Sequence, residues 1–115
     1  MKVLWLLLMV CGAAQAQEWS QAARGDDVTV LVRYARANTL WVMHNLDRPD
    51  SVGAMSTRML TEFDCRGRRF KVLSASRHSE PTGAGRVIAT IGEKDWQPIP
   101  PGTLIEATSR GVCPP

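Results

Sequence analysis

Glu62-Phe63-Asp64-Cys65-Arg66-Gly67-Arg68-Arg69-Phe70-Lys71-Val72-Leu73 decides the fold. Upstream, Met55, Thr57, Met59, Thr61, Phe63 and Cys65 alternate with Ser56, Arg58, Glu62 and Asp64, a period of two that predicts a strand with one face inward. Arg66-Gly67 reverses the chain. Arg68 to Ser76 then returns with Phe70 and Val72 on one side and Arg69 and Lys71 on the other. Antiparallel pairing of the two strands brings Glu62 and Asp64 near Arg69 and Lys71 on the solvent face. Cys65 shares the inner face with Phe63 and Met59, so whatever bonds to it packs over that face.

Outward from this hairpin, strands are expected at Val28 to Tyr34 and Thr39 to Leu46, joined by Arg36-Ala37-Asn38. The second is apolar on both faces, as in a strand covered twice. Asp47 to Ala54 and Glu80 to Gly85 read as loops, and Val87 to Ile91 as a short β-branched strand. Before them, Gln17 to Asp27 reads as a polar arm that Trp19 anchors to the core. No helix separates the strands, so the sheet is expected to be antiparallel.

Asp95 to Gly102 is broken by Pro98, Pro100 and Pro101 and reads as a linker with a buried aromatic. Thr103 and Glu106 are spaced as a capping box, and Gly111 is placed as a helix stop. The helix between them is too short to be stable alone. Leu104 and Ile105 are expected to lie over Met59, Phe63 and Phe70. The fold expected is thus α+β: a single antiparallel sheet of about five to six strands with a short C-terminal helix packed on one face and one disulfide.

The chain has 115 residues, enough for one domain. Lys2, the apolar run Val3 to Val10 and Ala14-Gln15-Ala16 form the pattern of a secretory signal peptide over residues 1–16, leaving a domain at 17–115. That run is too short to span a bilayer, which takes about 20 residues. Cys11 raises the alternative of a lipidated cysteine, but Val10 before it is bulkier than a lipoprotein signal accepts. Cleavage removes Cys11 and leaves Cys65 and Cys113, in an oxidising compartment most simply a disulfide. It would clip the short helix to the sheet.

The full chain carries 14 basic and 11 acidic residues. Without Lys2 the balance is 13 − 11 = +2, a mildly basic surface in which 11 of the cations are arginine. That charge, outside the cytoplasm, speaks against nucleic acid as a partner. Gly83-Ala84-Gly85 lacks the lysine and context of a phosphate loop, and neither CxxC nor HExxH occurs. An oxidised Cys65 cannot serve as a nucleophile, and no enzyme activity and no cofactor are expected. The candidate binding face is the basic cluster Arg66, Arg68, Arg69 and Lys71, with a protein partner. The competing class is a small-ligand carrier, for instance of haem, with His44, His78 or Met43 as contacts; a structural envelope accessory is the third.

The set of Trp19, Glu62-x-Asp64-Cys65-x-x-Arg68-Arg69-x-x-x-Leu73, Trp96-x-x-Ile99-x-Pro101-Gly102-Thr103 and Val112-Cys113 resembles the surface-adhesin protein E-like domain of Gram-negative bacteria, over essentially the whole mature chain. The resemblance implies an antiparallel sheet with a C-terminal helix and the two cysteines joined. It also implies an exported, adhesin-like protein of the periplasm or cell surface, in a family whose named member is an outer-membrane adhesin that binds host matrix and serum proteins and has been linked to haem.

Overall fold

Alternation along the strands settles most of the architecture. The computed structural model describes residues 18–114, so the expected signal peptide, including Cys11, lies outside the described residues. Six strands follow one another as an antiparallel meander: β1 (Ser20–Arg24), β2 (Val28–Arg36), β3 (Thr39–Leu46), β4 (Ser56–Asp64), β5 (Arg69–His78) and β6 (Val87–Ile91). The two-residue β7 (Gln97–Pro98) pairs with the start of β5, and α1 (Leu104–Ser109) closes the chain. The sheet, the helix and the Cys65–Cys113 disulfide are those the sequence predicts.

Register sorts the residues onto two faces, because residues directly opposite each other in an antiparallel pair point the same way. One face carries Val32, Val42, Met59 and Ala75 in one row, Leu40, Thr61 and Val72 in the next, and Phe63 opposite Phe70. Val30, Leu40, Val42, Phe63 and Ile99 are its buried centre, and Leu104, Ile105 and Val112 pack on them. Phe63 keeps only 2 % of its surface exposed. Burying a side chain of that size contributes roughly 1.5–3 kcal/mol, so the hairpin quoted at the outset is an anchor of the core.

Three local expectations are corrected. The polar arm is a paired strand: β1 lies against β2 with a bulge at Ala22, and Ala22 and Ala23 pack on the core. Its composition, Ser-Gln-Ala-Ala-Arg, hides it, because edge strands need little apolar surface. Trp19 is accordingly half-buried on the opposite face and is no core anchor. In the proline stretch the buried residue is Ile99, whose N–H donates to the Arg68 carbonyl at 2.8 Å; Trp96 turns outward.

The hairpin reversal uses Cys65 to Arg68, and the residue with positive φ is Arg68, at 52°, rather than Gly67. Gly67 is needed for another reason. Its N–H donates to Asp64 Oδ1 at 3.0 Å, and a Cβ there would run into the Asp64 carboxylate.

Thr103 caps α1 as expected, its Oγ1 accepting the Glu106 N–H at 3.3 Å. The reciprocal half of the box closes one residue early: Glu106 Oε1 accepts from the Gly102 N–H at 2.9 Å. Gly111 does not end the helix in a left-handed turn. Arg110 keeps helical angles, and the Gly111 and Cys113 N–H groups donate to Thr108 and Ser109 carbonyls at 3.1 and 2.7 Å. The chain therefore winds on and delivers Cys113 to Cys65, 5.5 Å away between Cα atoms. What Gly111 supplies is clearance, since a Cβ would stand 3.1 Å from a methyl of buried Leu40. The helix lies over β1 and β2, nearer that edge than the expected position over Met59, Phe63 and Phe70; the unexpected β1 provides the bed.

Candidate functional site on the open face of the sheet

The second face of the sheet is built from the alternate residues of the same strands. Across it, Arg33, Trp41, Leu60 and Ser74 form one row and Leu31, Met43, Arg58, Ser76 and Thr90 the next. The 3-10 turn Pro81–Gly83 covers one end, where Met43 is buried beside Gly83. Asn45 holds this turn through hydrogen bonds to the Thr82 N–H and hydroxyl, and Ser56 Oγ accepts the Gly83 N–H. The remainder carries aromatic rings and cations.

Trp19, Trp41 and Trp96, the three tryptophans of the described residues, all reach this face, and each bears a basic side chain. Arg33 lies 4.7 Å from the Trp19 ring centre and Arg58 4.3 Å from that of Trp41. Arg69 and Lys71 share Trp96, at 4.7 and 5.6 Å. A guanidinium over an indole is attracted by the ring quadrupole, by about 0.5–1 kcal/mol at exposed sites. The stack holds the cation in place while its edge keeps its donors.

The predicted basic cluster is divided by this geometry. Arg69 and Lys71 belong to the open face, where Arg69 pairs with Asp64 at 2.7 Å and Lys71 with Glu93 at 3.1 Å. The Gly67 N–H, and then Arg69, hold the Asp64 carboxyl below its ordinary range, so this pair stays ionised. Arg68 turns to the helix and meets Glu106 at 3.4 Å. Arg66 stands exposed in the turn.

Arg33 and Arg58 differ from Arg69 and Lys71: among the described residues neither has a carboxylate partner. Arg58 Nε is buried without a hydrogen-bond acceptor. These two arginines, with Trp19 and Trp41, are what sequence reasoning passed over. The signal was partly present, because Arg33 and Arg58 fall on the more polar faces of predicted strands, but Trp41 lies in a strand that reads as apolar on both faces, and the three are far apart in the chain.

The proposed haem contacts do not converge. His44 lies on the core face between Val30 and Thr57, where burial pushes its pKa down. His78 is buried on the other face with Nε2 2.7 Å from Ser76 Oγ, and Met43 lies on that face also. The sheet itself separates the two imidazoles. Among the described residues no three His, Cys, Asp or Glu side chains cluster as a metal site requires, and no helix is long and apolar enough to cross a membrane.

Searches among curated proteins and solved structures gave no match. The family model described as surface-adhesin protein E matches residues 16–114, which takes in both cysteines of the disulfide, all three outward tryptophans and every strand of the sheet. The chain belongs to the surface-adhesin protein E family.

Proposed function

We propose that this protein is an exported, non-enzymatic binding domain of the bacterial envelope, at the cell surface or in the periplasm, that engages a protein partner through the open face of its sheet. The observation that supports this reading most is the array of three tryptophans, each stacked with a cation, on a face that the helix leaves uncovered. Tryptophan and arginine are the residues most enriched at the energetic centres of protein interfaces. Here they come already ordered, which lowers the entropy lost on binding. Arg69 and Lys71 contribute from the predicted cluster, and Arg66 stands at the rim.

Charge reversal tests the reading. Arg33→Glu with Arg69→Glu alters the open face, and Arg48→Glu with Arg110→Glu makes the same charge change away from it. Both are compared with the unaltered protein by cross-linking and co-purification from envelope and surface preparations, after circular dichroism confirms the fold. Loss of the partner only in the first variant is the expected result. Equal recovery from the two variants would remove the open face as the binding surface.

A further inference from the structure

Trp41 divides two shallow cavities on the open face. The one toward β6 has a volume of about 330 Å³ and is lined by Trp41, Arg58, Ser74, Ser76 and Thr90, among others. These residues occupy neighbouring positions of two adjacent rows, and side chains directly opposite across antiparallel strands stand about 4.5–5.5 Å apart. Neighbouring polar groups at that spacing can each meet a different substituent of one sugar ring.

Three observations say what such a site accepts. Arg58 is a permanent cation with no carboxylate partner among the described residues, held 4.3 Å over an indole. Its Nε is buried without an acceptor, so the two Nη groups are the donors an oxyanion would meet. Around it stand hydroxyls rather than acids. Ser76 Oγ is tied to His78 Nε2, while Ser74 and Thr90 are exposed. One charged donor, an aromatic wall and hydroxyls on neighbouring strands fit a hydroxylated ring bearing one negative charge.

We infer that the cavity between Trp41 and β6 binds a carboxylated sugar, with Arg58 pairing the carboxylate, the Trp41 indole against the ring and Ser74 and Thr90 hydrogen-bonding its hydroxyls. This inference concerns a ligand the size of one sugar and does not depend on the protein-binding reading.

Titration of glucuronic acid into the 15N-labelled protein tests it, with glucose and sulfate as comparison probes. Trp41→Phe assigns the indole N–H signal of Trp41. Glucuronate should shift that signal, and leave Trp96 still, at concentrations where glucose and sulfate do not. A charge-assisted hydrogen bond is lost in Arg58→Gln, so binding should weaken about 10- to 100-fold. Arg58→Lys should recover part of it, and Arg48→Gln, away from this face, should change nothing. The spectra report at once whether each variant is folded. No shift with glucuronate overturns the proposal; equal response to sulfate reduces the site to a simple anion site, equal response to glucose removes Arg58 from it, and either result overturns it too.

Discussion

Removing the disulfide by replacing Cys65 and Cys113 together with alanine should cost most of the stability of this domain. The bridge joins residues 48 apart in sequence. Closing a loop of that length in the unfolded chain corresponds to about 4 kcal/mol in the chain-entropy model. In a domain of this size each kcal/mol moves the melting temperature by about 4–8 °C, so a fall of roughly 15–30 °C is expected. The loss should be uneven along the chain. A six-residue helix is too short to persist without tertiary support, and the disulfide is its covalent link to the β4–β5 hairpin. Amide exchange in Leu104–Ser109 should therefore rise well before exchange in β2, β3 and β4.

Calorimetry gives the melting temperature, and hydrogen exchange by mass spectrometry gives the order of opening. A fall of less than about 5 °C would refute the reasoning, since the loop entropy would then be absent from the balance. Exchange rising equally in helix and central strands would refute the clip, because the helix and sheet would be one cooperative unit without it.

Thr103→Ala removes the hydroxyl that accepts the Glu106 N–H and should cost about 1 kcal/mol in urea unfolding, while Thr103→Ser should cost much less. Gly111→Val crowds buried Leu40 and should cost about 1–3 kcal/mol by the same measurement, with the disulfide still formed by mass. Burial lowers the His44 pKa from an ordinary value near 6.5, so the unfolded chain takes up a proton that the folded protein resists. Stability should therefore fall as pH drops below that value, and His44→Leu should flatten this limb of a pH series of melting temperatures. Asp50 and Asp64 have depressed folded pKa values, held down chiefly by the backbone N–H groups of Ala54 and Gly67 respectively. Their stabilisation is present above the ordinary carboxylate pKa of about 3.9 and is lost as pH falls below it, a second acid limb that Asp64→Asn should shrink.

The central strands were legible because two-residue alternation is strong where one face is buried. Thr39–Leu46 and Val87–Ile91 have the bounds the sequence suggests. β1 was not legible, since an edge strand with a bulge needs only Ala22 and Ala23 to meet the core. Trp96, expected to be buried, turns outward while Ile99 is buried, for a related reason. They flank the short pairing of Gln97 and Pro98 with β5, and a strap that runs along a sheet edge sends residues to opposite faces regardless of their size. The bulge at Leu73, which β4 skips between its pairings with Val72 and Ser74, is equally silent in a single sequence.

The candidate site was half legible, and the missing half explains the other. A run of cations such as Arg66 to Lys71 draws attention in a sequence, yet the fold brings carboxylates to it from the hairpin, from the segment after β6 and from the helix. Asp64 neutralises Arg69, Glu93 meets Lys71, and Glu106 meets Arg68. Cations that remain available come from separate strands, at positions whose sheet neighbours are apolar or aromatic: Arg33 opposite Trp41, Arg58 opposite Met43. Stacking on indole stabilises a guanidinium without neutralising it, which an ion pair cannot do. On this sheet, therefore, the charge open to a partner is found where tryptophan, rather than aspartate or glutamate, is the neighbour.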